Sequence, residues 1–312
     1  MTDWTPKPGK RFGLRTGTYT DENGAPLPKP STKVSLSPLK WVGGKRKLAP
    51  IILDHALPPT RLVEPFAGSM SFTAAFVDRH PGVPMYVSDA LAALIDLYQR
   101  LADPQSEIHS MLRDLATAYE RRNKADRKKW YYELREAYTL GFADPDTSAA
   151  VLFAMLRTCY NGMLRTNCKK GLFNTAAGFM EAKTMYDPNK VAGFGKLIRS
   201  LAKLVCRDYR NSIADVVPGA LVYLDPPYKN TYDGYCGKVG FDQTGLAPFI
   251  RECMKRGARQ VIMSQSYEPE FWHETLPEAT QVPLERREGV NCNVAEVGRP
   301  LVKELLLIVE RR

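Results

Sequence analysis

Between residues 61 and 101 the chain reads as a β-turn-α-β-α unit, the signature of a parallel sheet with helices on its faces. RLVE (61–64) is a short apolar strand ending on an acid, and Ser71 to Arg79 reads as a helix that starts just after a glycine turn. MYVSD (85–89) is a second strand, again ending on an acid, followed by the helix LAALIDLYQRL (91–101). The sheet pattern returns in GALVYL (219–224) and RQVIMS (259–264). QVPLE (281–285) and VKELLLIVE (302–310) then close the chain as a strand pair. Apolar residues make up 44% of the 312, enough for a substantial core.

The block that separates the two halves of the sheet, residues 102–205, is different in kind. Residues 104–140 predict polar helices studded with aromatics, including the basic run RRNKADRKKW (121–130). SAAVLFAMLRTCY (148–160) is apolar enough for a buried helix. In NGMLRTNCKKGLFN (161–174), Gly162 and Gly171 bracket a cationic stretch suited to a hairpin, and a further helix is expected at about 189–205. The reading is therefore an α/β domain at 39–101 and 206–312, with 102–205 as a mainly helical insertion. Residues 1–38 stand apart from both. Prolines at 6, 8, 26, 28, 30 and 38 alternate with Lys7, Lys10, Arg11 and Arg15 and show no apolar periodicity, which predicts an extended or disordered basic arm.

The charge balance narrows the partners. Lys and Arg number 44 against 34 Asp and Glu, a net +10, which favours nucleic acid, an anionic membrane surface or a phosphorylated ligand. A scattered surplus on a basic surface gives the same total. No stretch approaches the ~20 apolar residues of a membrane span, and the start has no signal-like apolar run, so a soluble intracellular chain is expected. None of the six cysteines forms a CxxC pair, and the four histidines form no HExxH. Neither a metal site nor a disulfide scaffold is expected.

The chemistry is concentrated in three short pieces. In LVYLDPPY (221–228) an apolar strand delivers Asp225 to its carboxyl end, where open α/β sheets place their sites. Pro226 and Pro227 offer carbonyls without competing N–H donors. Tyr228 supplies a flat face on which a base can stack, worth ~1–3 kcal/mol. Together they suit a planar ring carrying an exocyclic amine; a tight turn capped by an Asp is the plainer alternative. In LVEPFAGSMSF (62–72) an acid at a strand end is followed by a turn on Gly68, and Asp89 comes 21 residues after that glycine. An acid ~20 residues past a glycine turn is where βαβ folds bind ribose hydroxyls. No GxGxxG pattern or Walker lysine is present, so a nucleoside-type cofactor without a pyrophosphate fits better than a dinucleotide. In LKWVGGKRKL (39–48), Gly43 and Gly44 allow close backbone approach, Trp41 can cover an apolar or cationic group, and Lys45 can meet a carboxylate.

KWVGGK, EPFAGS and DPPY, in this order, resemble the Dam-type (alpha-class) DNA adenine methyltransferases. SDALAALIDLY (88–98), RTCYNGMLRTNCKKGLFN (157–174) and the tail from Arg286 to Leu306 extend the likeness to residues 39 to about 310. The resemblance implies a Rossmann-like methyltransferase fold, with a mostly parallel twisted sheet, helices on both faces, a C-terminal antiparallel strand pair and an inserted target-recognition domain. It implies S-adenosylmethionine as cofactor and double-stranded DNA as substrate. By it, Trp41, Lys45 and Asp89 contact the cofactor, and Glu64, Phe66 and Gly68 form its pocket, with Asp225 at its edge. Asp225 and the Pro226 carbonyl, set by Pro227, bind the adenine amine while Tyr228 stacks on the flipped ring. The DNA-contact candidates are Arg157, Asn161, Arg165, Asn167, Lys169 and Lys170; a solvated hairpin, or for Arg157 a structural salt bridge, is the alternative. Arg121 to Lys129 is read as a solvated helix face, and Trp130, Tyr131 and Tyr132 as packing within the insertion.

Two departures from the family pattern stand out. Met70 occupies the second glycine position of the loop after EPF, and Cys168–Gly171 is one residue longer than usual, with lysines where GATC-specific members carry arginine. GATC specificity is therefore not expected to carry over, because lysine reads guanine far less selectively than arginine. The expected reaction is methyl transfer to the adenine amine of a base flipped out of a short duplex sequence. Alternatives are methylation of the cytosine amine, an RNA substrate, or an inactive DNA-binding relative. The setting is expected to be the cytoplasm of a bacterial or phage-infected cell. A regulatory enzyme, a phage protective enzyme and one half of a pair with a cognate restriction endonuclease all fit, and a monomer suffices.

Overall fold

A computed structural model describes residues 37–163, 166–167, 172–178, 185–228, 241–287 and 301–311. The basic arm expected at 1–38 falls outside it apart from Ser37 and Pro38, as do Arg165, Lys169 and Lys170 and the side chain of Asn167.

The described strands are β1 (Leu62–Glu64), β2 (Met85–Asp89), β3 (Thr166–Asn167), β4 (Leu172–Phe173), β5 (Lys203–Cys206), β6 (Leu221–Leu224), β7 (Gln260–Ser266), β8 (Thr280–Arg287) and β9 (Leu301–Glu310). Seven of them form one sheet in the order β5-β2-β1-β6-β7-β9-β8. The first five in that order run parallel. β9 lies antiparallel to β7 and β8 antiparallel to β9, which is the expected closing pair. From β1 the chain winds outward through β2 to β5, then returns to place β6 on the other flank of β1. The crevice at the carboxyl ends of β1 and β6 is thus a topological switch point, where sheets of this kind bind ligands.

Alternation along the central strands explains why both faces are covered. Leu62, Leu221 and Tyr223 join one apolar cluster, whereas Val63, Val222 and Leu224 join a second on the opposite face. The first face is packed by α1 (Ala49–Asp54), α2 (Ser71–Arg79) and α3 (Ala92–Ala102), and the second by α8 (Leu246–Lys255) and α9 (Pro269–Thr275). Strands buried on both sides read as unbroken apolar runs, which is why LVYL shows no polar alternation.

The helices after α3 are α4 (Ile108–Glu120), α5 (Lys124–Leu140), α6 (Pro145–Thr158) and α7 (Pro188–Arg199). Local signals start three of them. Asn123, Asp144 and Asp187 each accept hydrogen bonds from the first-turn amides, and the two aspartates precede a proline at the first helical position. Leu112, Tyr119, Tyr131 and Phe153 belong to the same apolar cluster as Leu94 and Tyr98 of α3, so this block shares its core with the sheet. The hairpin expected at 161–174 is present as the antiparallel pair β3–β4, its tip lying outside the described residues.

One expectation is corrected. The helix read over 189–205 ends at Arg199, and Lys203–Cys206 form β5, paired in parallel with Tyr86–Asp89 of β2. Leu201–Val205 is apolar enough for either state, and an open edge of β2 selects the strand; tertiary pairing overrides local propensity here. Among the described residues no helix is long and apolar enough to cross a membrane. None of their His, Cys, Asp or Glu side chains cluster in threes or more so as to hold a metal ion.

Candidate active site

β6 ends at Leu224 because the two prolines that follow have no N–H to continue the ladder. Asp225 is thereby left at the rim of the switch point. Opposite it, the 41–45 loop doubles back through Gly43, whose φ of +75° suits glycine, and carries Lys45 into the crevice. The Lys45 ammonium lies 2.7 Å and 2.9 Å from the two Asp225 oxygens and also donates to the Gly43 carbonyl at 2.9 Å. Burial pushes the Asp225 carboxyl up from the usual aspartate range, Lys45 pulls it back, and the net direction is upward.

The turn after β1 is fixed mainly by backbone. Asp89, at the end of β2, accepts from the Gly68 N–H at 3.0 Å and from the Leu91 N–H at 2.9 Å, so one carboxylate ties the turn to the start of α3. Burial pushes this carboxyl up as well, against those backbone donors. Gly68 has φ +43°, and a Cβ there would sit 2.9 Å from the Trp41 indole nitrogen. Only glycine lets the indole lie against the turn. Met70, the departure from the glycine pattern, adopts φ 55°, ψ 28° as the residue capping α2, and its side chain is wholly buried. The left-handed backbone explains why glycine suits this position.

Glu64 lies beneath the turn rather than on its surface. It is buried, accepts a hydrogen bond from the Thr73 hydroxyl, and has its carboxyl pushed up to about 8, chiefly by burial. Phe66 stacks on Tyr209, with ring centroids 5.2 Å apart, and meets Phe241 edge-on at 5.6 Å. The result is an aromatic wall beside the switch point.

Tyr228 stands over the same crevice. The Lys45 ammonium lies 4.9 Å from its ring centroid, and its hydroxyl donates to Glu304 at 3.4 Å. Glu304 is buried on β9, and its charge contributes to the upward push on Asp225. The Pro227 carbonyl accepts from Gln243 at 2.7 Å, whereas no donor among the described residues reaches the Pro226 carbonyl.

The structure thus brings Trp41, Lys45, Glu64, Phe66, Gly68, Asp89 and Asp225–Tyr228 together at one end of the sheet. Of the DNA-contact candidates, Arg157 and Asn161 are described in full, and the backbone of Asn167 lies in β3. Arg157 is half-buried at the end of α6, donating to the Met185 carbonyl at 2.9 Å and the Pro38 carbonyl at 3.0 Å. Asn161 has φ 54°, and Gly162 beside it, with φ +68°, packs so closely on the Lys40 backbone that a Cβ would clash. The base of the hairpin is therefore seated on the loop that carries Lys45. Tyr131 is buried and donates to the Thr175 carbonyl at 2.8 Å, while Trp130 is buried against Tyr119. In the basic run, Arg127 lies over the Tyr119 ring at 4.4 Å and Arg122 over Trp130 at 5.8 Å; Arg121, Lys124, Lys128 and Lys129 are exposed.

Sequence reasoning missed Glu304 and Gln243. Glu304 carried a signal: period-2 alternation puts it on the same face as buried Leu306 and Ile308, and an acid on a buried face calls for a reason. Gln243 lies in a short polar turn with no such mark.

Comparison with known proteins bears directly on this geometry. A model of the D12 class N6 adenine-specific DNA methyltransferases matches residues 41–284, which take in EPFAGS, DPPY and KWVGGK from Trp41 onward. The type II methyltransferase M.MjaIII of Methanocaldococcus jannaschii is 27% identical over 287 residues, covering 86% of this chain and 97% of that protein. The retron Ec67 DNA adenine methylase of Escherichia coli is 33% identical, covering 73% of this chain and 76% of its own length. A DNA adenine methylase of Serratia marcescens is 28% identical across 86% of this chain and 97% of its own. The matched span takes in most of the sheet and the whole Lys45–Asp225 crevice, and the chain belongs to the D12 class of N6 adenine-specific DNA methyltransferases.

Proposed function

We propose that the chain uses S-adenosylmethionine to methylate N6 of an adenine flipped out of duplex DNA, with Asp225 and the Pro226 carbonyl holding the amine. The observation that carries this reading is the Lys45–Asp225 pair, which joins the 41–45 loop to the DPPY turn at the switch point of the sheet.

The side chains suit the cofactor. Each Asp89 oxygen that accepts a backbone N–H keeps a lone pair for a ribose hydroxyl. Phe66 and its aromatic neighbours suit an adenine ring, and the Lys45 ammonium suits a carboxylate. When bound, S-adenosylmethionine supplies an electrophilic methyl group on a positively charged sulfur.

Everything else falls to the chain. An ionised Asp225 and the Pro226 carbonyl, each accepting one N–H of the amine, keep its lone pair out of ring conjugation and aim it. Lys45 opposes the burial that would protonate Asp225. Tyr228 stacks on the extruded base by the ring face opposite Lys45, recovering part of the roughly few kcal/mol that flipping costs. Catalysis on this reading is positioning plus electrostatics. The β3–β4 hairpin and the exposed lysines of α5 serve the target-reading block of 102–205, whose contacts are mostly to phosphate. A single chain suffices, in a cell that holds a cognate restriction endonuclease or none.

The test is incubation of the purified protein with S-adenosylmethionine and unmethylated genomic DNA, followed by sequencing that reports modified bases. 6-Methyladenine in a defined motif is the expected result, and its loss in Asp225→Ala with DNA binding retained fixes the role of the acid. Modified cytosine, or no modified base at all, refutes the reading.

A further inference from the structure

The DPPY turn contains two consecutive proline carbonyls, yet one amine needs only one of them. The Pro226 carbonyl belongs to a tertiary amide and the Pro227 carbonyl to a secondary one, but both can accept, so amide chemistry alone does not decide between them. The side chains around the turn do. Gln243, at the start of a short 3-10 turn (Gln243–Gly245), donates its amide to the Pro227 carbonyl at 2.7 Å. A carbonyl only accepts, so Gln243 must present Nε2 to it and turn Oε1 the other way. There Gln265 meets it, its Nε2 donating to Gln243 Oε1 at 3.1 Å. Gln265 is fully buried on β7, the strand hydrogen-bonded to β6. The relay therefore runs from the sheet through two amides to the catalytic turn, and each amide orientation dictates the next.

The relay leaves one group unsatisfied. Gln265 Oε1 is buried with no hydrogen-bond partner among the described residues. An apolar side chain of similar volume would avoid that loss, so what singles out glutamine at this position is its donor. The 3-10 turn is also braced from below. A Cβ on Gly245 would run into the Tyr209 hydroxyl, and Tyr209 is the ring on which Phe66 stacks. Gln243 is thus held between the aromatic wall and the DPPY turn.

We propose that Gln243 and Gln265 are positioning residues that anchor the Pro227 carbonyl and so hold the turn in the orientation that presents the Pro226 carbonyl to the target amine. The inference rests on the adenine-methylation reading above, which already uses the Pro226 carbonyl, and adds to it what holds that carbonyl in place. Neither glutamine touches the substrate. Both act through the orientation of the turn.

The test uses single-turnover methyl transfer by the full chain with S-adenosylmethionine and duplex DNA, alongside calorimetric affinities for each and thermal melting. Gln243→Glu keeps the shape but, when ionised, has no proton to donate. Its transfer rate is expected to fall about 10- to 100-fold with cofactor and DNA affinities held, as for other small misplacements of a reacting group. Relative to wild type at the same pH, the rate should recover as the pH is lowered and the new carboxyl regains a proton to donate. Gln265→Met removes both the donor and the unsatisfied oxygen, and should slow transfer without lowering the melting temperature. Rates within about 2-fold of wild type for both variants across pH, or losses matched by weakened binding, overturn the proposal while leaving adenine methylation intact. A wild-type chain that methylates cytosine or nothing overturns both readings, and that result appears before any variant is compared.

Discussion

Lys45 and Asp225 are 180 residues apart in the chain, yet their side chains meet at 2.7 Å in the crevice between β1 and β6. Both are largely shielded, with 5% of the lysine side chain and 20% of the aspartate exposed. Burial pushes the acid toward its neutral form, whereas the ionised form is the stronger acceptor for an amine N–H. Lys45 is the principal group holding it there.

Lys45→Met should therefore move the acidic limb of the kcat profile to higher pH. With the ammonium gone, burial acts on Asp225 unopposed, its folded pKa rises further, and the ionised fraction at a given pH falls. Removing one partner of a buried pair also destabilises, by about 3 kcal/mol or more where the survivor stays charged. The check is kcat against pH on protein shown to be folded. A limb at the wild-type position removes Lys45 from this role.

Glu304→Gln should do the opposite. The Glu304 charge is one of the causes that raise Asp225, so neutralising it lowers the folded pKa and shifts the acidic limb to lower pH. The amide preserves a partner for the Tyr228 hydroxyl, which separates the electrostatic effect from loss of ring placement. A shift in the same direction as Lys45→Met would contradict the assignment.

Much of the sheet was legible because its local signals and its pairing agree. The boundaries of α2 and β2 follow from the sequence, and so does the convergence on Asp225, because strand ends, glycine turns and prolines are backbone properties. β5 was not legible: KLVC is a strand only because β2 presents an unpaired edge. Nor was the setting of Arg157. Its position in a basic stretch suggests a phosphate contact, and only the fold brings the Pro38 and Met185 carbonyls to its guanidinium. The burial of Glu64 shows the same limit, since nothing in LVEPF announces that the acid accepts from Thr73 of α2.

Glu64 gives the chain a pH-dependent stability of predictable sign. Its folded pKa, about 8, lies above the ordinary glutamate value of 4.5, so the native state holds the proton more tightly than the unfolded chain. Stability on this account is greatest below the ordinary glutamate range and falls as pH rises through the window up to about 8. Glu64→Gln keeps an acceptor for Thr73 and removes the titration, so the variant should match wild type in acid and exceed it in alkali. Urea unfolding at a series of pH values checks this, and parallel curves for the two proteins would exclude Glu64 as the source.

Met70→Gly pits backbone against packing. Glycine relieves a left-handed residue, a gain of roughly 1 kcal/mol, but it empties a wholly buried methionine site, a loss of about 2–5 kcal/mol in comparable truncations. The variant should be less stable than wild type by about 1–4 kcal/mol on these figures. Cofactor affinity should change little, because the Gly68 turn beside it is held by the Asp89 carboxylate and the Met70 side chain points into the core. Denaturant unfolding and calorimetry with S-adenosylmethionine read the two effects separately. A variant of wild-type stability with tightened cofactor binding would mean that the methionine departs from the glycine pattern at the expense of the site rather than for the sake of the core.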